Sequence, residues 1–486
     1  MNSTAAQRTV PLMEDLVQYA IERASEKGVD YAEARLHVDS GSAFTLTNGV
    51  PSPVQLARER GIGVRILVDG AIGFATTNDL SKASLDSTVE IAYRTAKASR
   101  KLIAKPIRLS EQKAEQANWE TEARKPLTEV AAEEKFRVLE EIEKNLQPDT
   151  LKVALPSRTL VVGDDITERY FANTEGARIH GKASRVDLLY LLTVYDPTKG
   201  TIQRIGQYGQ TGGWEQLEQW DPPRLVSDEA KILGKMLREG KQAPRKELDL
   251  VLGPEVTGII CHESCGHPQE ADRILGREAA QAGESYLKPD MIGYRVGTEA
   301  VNVADDPTIP KSNGFYLYDE EGVKAGRRIL IKEGVINDFL HNRETGGELG
   351  ASSNGAARAV AYDREPMIRM ANTFMLPGSY THQELVEDIK EGVFIKTFME
   401  WNIDDRRYNQ RYVGLEAYLI EKGETTTPVR SPILEITTPG LYGSVDAVGK
   451  EIEFEAATCG KGEPSQGAPV WHGGPSIRLR KVRLGG

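Results

Sequence analysis

The stretch CHESCGHPQEAD, from Cys261 to Asp272, limits the local fold more than any other in the chain. It carries His262, Glu263 and His267. That is one residue too long for the H-E-x-x-H spacing that puts two histidines on one helical face. On a regular α-helix, side chains at i and i+5 diverge by about 140°, at about 100° per residue. Both imidazoles can therefore reach one ion only where the helix is irregular. A π-bulge, with its i to i+5 hydrogen bond, is one remedy, and a helix that ends between the ligands is another. Gly266 tolerates unusual backbone angles, and Pro268 disfavours an α conformation at His267. The sequence predicts a distorted last turn that swings His267 back towards His262.

Zinc takes Cys, His, Asp or Glu ligands, and a catalytic zinc keeps three of them with one place for water. With His262 and His267 as two ligands, Glu263 stands beside the site as the general base for a metal-activated water. Spacing leaves the third ligand open among Cys265, Cys459, His341 and Glu270. Cys261 reads as a small buried residue. A lone H-E-x-x-x-H also arises by chance, with its histidines and cysteines simply packed in a core.

The rest of the composition narrows the function classes. A chain of 486 residues suggests two or three domains and a core that needs no staples. A net charge of -11 argues against nucleic acid as a partner, because phosphate contacts need clustered Lys and Arg. The short basic tail from Arg478 to Arg483 does not reverse that. Three cysteines are no disulfide framework, and a reducing cytoplasm is expected. The opening residues have no basic region followed by an apolar block, so no signal peptide is expected. The apolar run from Leu188 to Val194 is too short to cross a bilayer.

Periodicity divides the chain into three parts. Residues 1–105 read as an α+β module. Leu12, Leu16, Ala20 and Ile21 recur at helical spacing before Gly28. Two short strands, AEARLHV and SAFTLTN, lead to a turn at Asn48-Gly49. Two more strands join at Asp69-Gly70, and Asn78 or Asp79 caps a helix to about Ser99. Residues 106–240 form a central helix plus strand region. It opens with a polar linker at 111–122 and a helix from about Leu127 to Leu146, its core positions Val130, Phe136, Leu139, Ile142 and Leu146. Three strands follow, LKVALPSRTLVVG, ERYFANTEGARIH and SRVDLLYLLTVYD, with a turn at Asn173 to Gly176. A glycine-rich polar stretch, 206–213, precedes a helix from Pro222 to about Glu239. Residues 241–486 read as a β-rich domain that carries the H-E-x-x-x-H helix. That helix begins at Gly253-Pro254, after the strand LDLVLG. The fold class expected is α+β.

Several segments in order resemble the TldD/PmbA family of metallopeptidases, and its TldD-like catalytic branch. HESCGHPQEAD is similar to the family's His-Glu-x-x-x-His segment, and RGIGVRILVDGAIGFATTNDLS to its N-terminal signature. HNRETGGELGASSNGAARA, MIRMANTFMLPG and CGKGEPSQGAPV follow in the family's order. The resemblance implies Zn2+ held by His262, His267 and Cys459, with Glu263 as catalytic acid/base. It matches Glu270 and Asp272 to acidic positions that could orient a histidine. It implies an enclosed site acting on unfolded polypeptides or short peptides. It also implies a homodimer or a heterodimer with a PmbA/TldE-like subunit. The segment from Ser353 to Arg358 and the loop around Gly462 are candidate substrate contacts. MEWNIDDRRYNQRYVG departs from the glycine-rich pattern of some members. Two alternatives remain, a non-catalytic regulatory or partner subunit and a metal-dependent small-molecule amidase.

Overall fold

The structure is a computed structural model and describes residues 9–147, 154–278 and 283–485. It is α+β, with more strand than helix in the C-terminal half. The first helix, Thr9–Ser25, buries Leu16, Val17, Ala20 and Ile21 against the first sheet, while the side chain of Leu12 lies outside the described residues. Gly28 follows at φ 66°.

The two short strands expected first are one, Tyr31–Thr47. The polar middle, Asp39 to Ser42, stays in register with both Gln55–Val68 and Ala154–Asn173. Ladder hydrogen bonds on both sides hold it extended whatever its side chains prefer. Asn48 and Gly49 both take positive φ, 51° and 79°, as a two-residue hairpin needs. Asp69 and Gly70 do the same at 50° and 75°.

Four other expectations need correction. The helix Lys82–Ser99 is capped by Ser81, whose side chain accepts from the Ser84 N–H; Asp79 instead accepts from Ser81. The linker at 111–122 contains a strand, Gln116–Glu120, paired in parallel with Arg178 to Lys182. The helix expected from Leu127 is a single tight turn, Leu127–Glu129, followed by Ala132–Asn145. The three central strands are two long ones, Ala154–Asn173 and Arg178–Asp196, and the glycine-rich stretch continues a third, Gly200–Thr211. Leu151 to Val153 lie outside the described residues. Gly206 belongs in that strand because the Tyr190 ring crosses it: a Cβ there would lie 2.2 Å from Tyr190 Cζ.

One eight-stranded sheet therefore takes strands from both sides of residue 105. The helices Ala132–Asn145 and Pro222–Glu239 cover part of it through Leu139, Ile142, Leu233 and Leu237. The C-terminal part has a ten-stranded and a six-stranded sheet around a core that includes Leu250, Ile260, Val303 and Leu479. The hairpin Phe398–Ile403 and Asn409–Gly414 lies at one end of the ten-stranded sheet. The hairpin Glu453–Lys461 and Gln466–Gly474 lies at the end of the six-stranded one. No helix among the described residues is long and apolar enough to cross a membrane.

Candidate metal centre

The helix Pro254–Cys261 starts as its sequence suggests, with Gly253 at the N-cap and Pro254 in the first turn. It packs on the strand that carries His472. A Cβ on Gly258 would lie 2.7 Å from His472 Nδ1 and 2.8 Å from the Gly473 nitrogen. Only glycine admits that approach.

The turn that follows, His262–Gly266, is a π turn: the His267 N–H donates to the His262 carbonyl. This i to i+5 bond sets the two rings 4.8 Å apart, edge to face. Two reasons offered from sequence are replaced. Gly266 sits at φ −57°, ψ −62°, angles open to any residue. Its requirement is space, since a Cβ would lie 1.8 Å from Met370 Sδ. His267 is itself helical, φ −60° and ψ −46°, despite the proline after it. The preference against that conformation is a bias. Pro268 is the second residue of a short 3-10 turn, His267–Gln269, where its missing N–H costs nothing.

Cys459 reaches this turn from the strand Glu453–Lys461, with Sγ 3.4 Å from His267 Nε2. Donor atoms of His262, His267 and Cys459 all lie within 4.8 Å of one another, and all three residues are buried. Tetrahedral zinc with ordinary Zn–N and Zn–S lengths needs ligand separations of about 3.3–3.8 Å. The chemistry of this donor set and its close approach fit zinc. The His262 Nδ1 is buried with no protein hydrogen-bond partner among the described residues.

Electrostatics favour a thiolate. Burial alone pushes the Cys459 thiol up, but His267, His262 and Arg369 outweigh it and hold the group well below its usual value. Arg369 also donates to the Cys459 carbonyl and, from Nη1 at 2.8 Å, to that of Gln466. Burial and the nearby His262 hold His472 down at about 3, as a neutral ring.

Glu270 was one candidate for third ligand, and the structure gives it another partner. It accepts from His267 Nδ1 at 3.0 Å and from Arg273 Nε at 2.5 Å. Because a carboxylate can only accept, Nδ1 carries the proton and Nε2 presents its lone pair towards Cys459. Burial opposes ionisation of Glu270, yet Lys461, Arg273 and His267 hold it well below the carboxylate range. Asp272 does not touch a histidine; its carboxylate accepts from Lys461 Nζ at 2.7 and 2.8 Å and from the Arg273 N–H at 2.9 Å. Cys265 lies in the apolar core, where burial and Cys261 push its thiol well up. His341 faces Thr345 Oγ1 at 3.2 Å. Ser353 donates to the His341 carbonyl, 12 residues earlier in the chain. We expect Glu270→Gln to weaken zinc binding about 10–100-fold, read by competition with a chromogenic chelator. Unchanged affinity would show that His267 needs no such orientation.

Both oxygens of Glu263 are engaged. Trp401 Nε1 donates to Oε1 at 3.1 Å, and Arg407 Nη1 donates to Oε2. These residues belong to the hairpin segment noted as departing from the family pattern. Asp404 shapes its turn by accepting from the Tyr408 and Asn409 N–H groups at 2.8 and 3.0 Å. Gln410 of the returning strand accepts from Ser264 Oγ at 2.6 Å. The hairpin thus clasps the π turn at two consecutive residues. Trp401 remains 42% exposed, so the cover over Glu263 is one side chain thick.

Sequence reasoning missed Trp401, Arg407, Arg369 and Lys461. Lys461 carried a usable signal: it stands two residues after Cys459 on a strand and so faces the same side. The other three had none, because their partners are 90 to 144 residues distant in sequence.

Known proteins resemble this chain along nearly all of it. Residues 245–486 match the PmbA/TldA metallopeptidase C-terminal domain, residues 32–96 its domain 1 and residues 125–237 its central domain. A metalloprotease of Methanocaldococcus jannaschii is 34% identical over 460 residues, 94% of this chain and 97% of its own. A zinc metalloprotease TldD homolog of Saccharolobus solfataricus is 26% identical over 480 residues, 96% and 99%. Among solved structures, TldE from Thermococcus kodakarensis aligns with a TM-score of 0.72 at 16% identity, over 98% of this chain and all of that one. A Thermotoga maritima protein proposed as a modulator of DNA gyrase aligns with a TM-score of 0.77 at 18% identity, over 97% of this chain and 100% of that one.

Proposed function

Because this chain belongs to the PmbA/TldD metallopeptidase family, we propose that it is a zinc-dependent peptidase acting on unfolded polypeptides or short peptides. One observation carries the reading: two imidazoles and a thiolate-prone sulfur converge within 4.8 Å, beside a buried glutamate. His262, His267 and Cys459 would hold the ion. Zinc, when bound, supplies Lewis acidity towards a peptide carbonyl and acidifies water near neutral pH. Glu263 accepts the proton of the attacking water at a carboxylate oxygen and passes it to the leaving amine. For that, Arg407 or Trp401 gives up its contact; Trp401 lies nearer the surface. Glu270 keeps the His267 lone pair aimed inward.

Burial of all three donors supports a substrate that enters as an extended segment, since a folded protein offers no such segment. A cytoplasmic setting agrees with three cysteines that are all free thiols. Assembly as a homodimer, or with a PmbA/TldE-like subunit, agrees with the shared fold of the Thermococcus TldE chain. The retained His262, Glu263 and Cys459 disfavour a purely non-catalytic subunit.

The purified chain should contain about one zinc. A chelator should abolish its cleavage of casein, and zinc should restore it. Full cleavage by metal-free protein would overturn the reading. Cleavage confined to single amino-acid amides would favour the amidase alternative.

A further inference from the structure

A cavity of about 460 Å³ lies between the eight-stranded sheet and the reverse side of the Cys459 hairpin. Its size is that of a small-ligand site. Four arginines and several carboxylates line it, and most pair with each other. Arg169 binds Asp39 and Glu320, and Arg185 meets Asp165 at 3.3 Å. Asp319 accepts the N–H groups of Glu321, Val323 and Ala357.

Glu59, which is exposed, and two half-buried groups, Arg358 and Asp187, have no ion pair among the described residues. Arg358 donates from Nη1 to the Met370 carbonyl and stacks over Tyr316; among the described residues no carboxylate lies within ion-pairing distance of it. Asp187 likewise has no cation within that distance among the described residues; burial, with Asp165 nearby, pushes its carboxyl up to about 7. The same cavity has apolar lining as well. Trp119 meets Phe315 edge to face at 5.9 Å, and its indole N–H is buried without a partner among the described residues. A half-buried charge without a counter-ion is costly, and a ligand of opposite charge would relieve it.

We propose that this cavity binds a short zwitterionic peptide of two or three residues. Its carboxylate pairs with Arg358, its ammonium with Asp187, and an apolar side chain lies on Trp119 and Phe315. Thr458, beside Cys459, is part of the wall, and its hydroxyl accepts from Gln207 at 3.2 Å. The cavity thus abuts the strand that carries the thiol but is separate from the proposed metal centre.

Calorimetry on the full zinc-loaded chain tests this. The probe is alanyl-N-methylphenylalanine, whose tertiary amide resists hydrolysis. We expect one site per chain. Arg358→Gln and Asp187→Asn should each raise Kd by about tenfold or more, the worth of a charged hydrogen bond. An N-acetylated, C-amidated form of the probe should lose as much with unaltered protein, so a variant that fails to fold leaves the test intact. Cys459→Ala should bind unchanged. Absence of binding, equal binding of the capped probe, or loss of binding in Cys459→Ala alone would overturn the proposal. The last result would move the ligand to the metal centre.

Discussion

Glu263→Gln keeps about one zinc per chain and lowers kcat/KM for peptide cleavage by about 10²–10⁴-fold, the usual worth of a positioned general base. The amide keeps the shape of the carboxylate and can still accept from Trp401. It cannot take a proton. The substitution also takes the Glu263 charge away from the buried guanidinium of Arg407, and weakening a buried ion pair lowers stability. A lower Tm is therefore expected, and activity must be read where the variant remains folded. Arg407→Gln added to Glu263→Gln should recover part of that stability and none of the activity. Cleavage by Glu263→Gln within twofold of the parent would remove this residue from the chemistry.

Cys459→Ala should leave less than about a tenth of the zinc after dialysis, because a three-ligand site loses its only anionic donor. Loss of metal and loss of stability should coincide. Ligand binding to the native state alone is worth about 4 kcal/mol at a thousandfold excess over Kd. The variant should melt near the chelated parent, and added zinc should raise the parent's Tm only. Full zinc occupancy in Cys459→Ala would mean that another residue completes the set. A variant that melts well below the chelated parent would point to packing, since Cys459 is also a core residue.

The elements legible in the sequence were those with local causes. Asn48-Gly49 and Asp69-Gly70 made their hairpins, and Gly253-Pro254 began its helix. The merged strands were not legible, because Asp39 to Ser42 and the glycines of 206–209 are held extended by neighbours far along the chain. At the site, an i to i+5 spacing carried the need for a distorted turn. The reason for Gly266 was not in the spacing, since Met370 arrives from 104 residues later. The same holds for Arg407, whose meaning lies only in what it touches.

The clasp of His267 by Cys459 bridges 192 residues of chain. Closing so large a loop costs entropy, which the collapsed C-terminal sheets help to offset. A bound ion would therefore find its ligands together only once those sheets form, unlike the ion of small zinc domains whose ligands are close in sequence. It would arrive last, at an already assembled cradle. Refolding in chelator should proceed at its ordinary rate, and a fragment that stops short of residue 459 should stay metal-free however well its helices form.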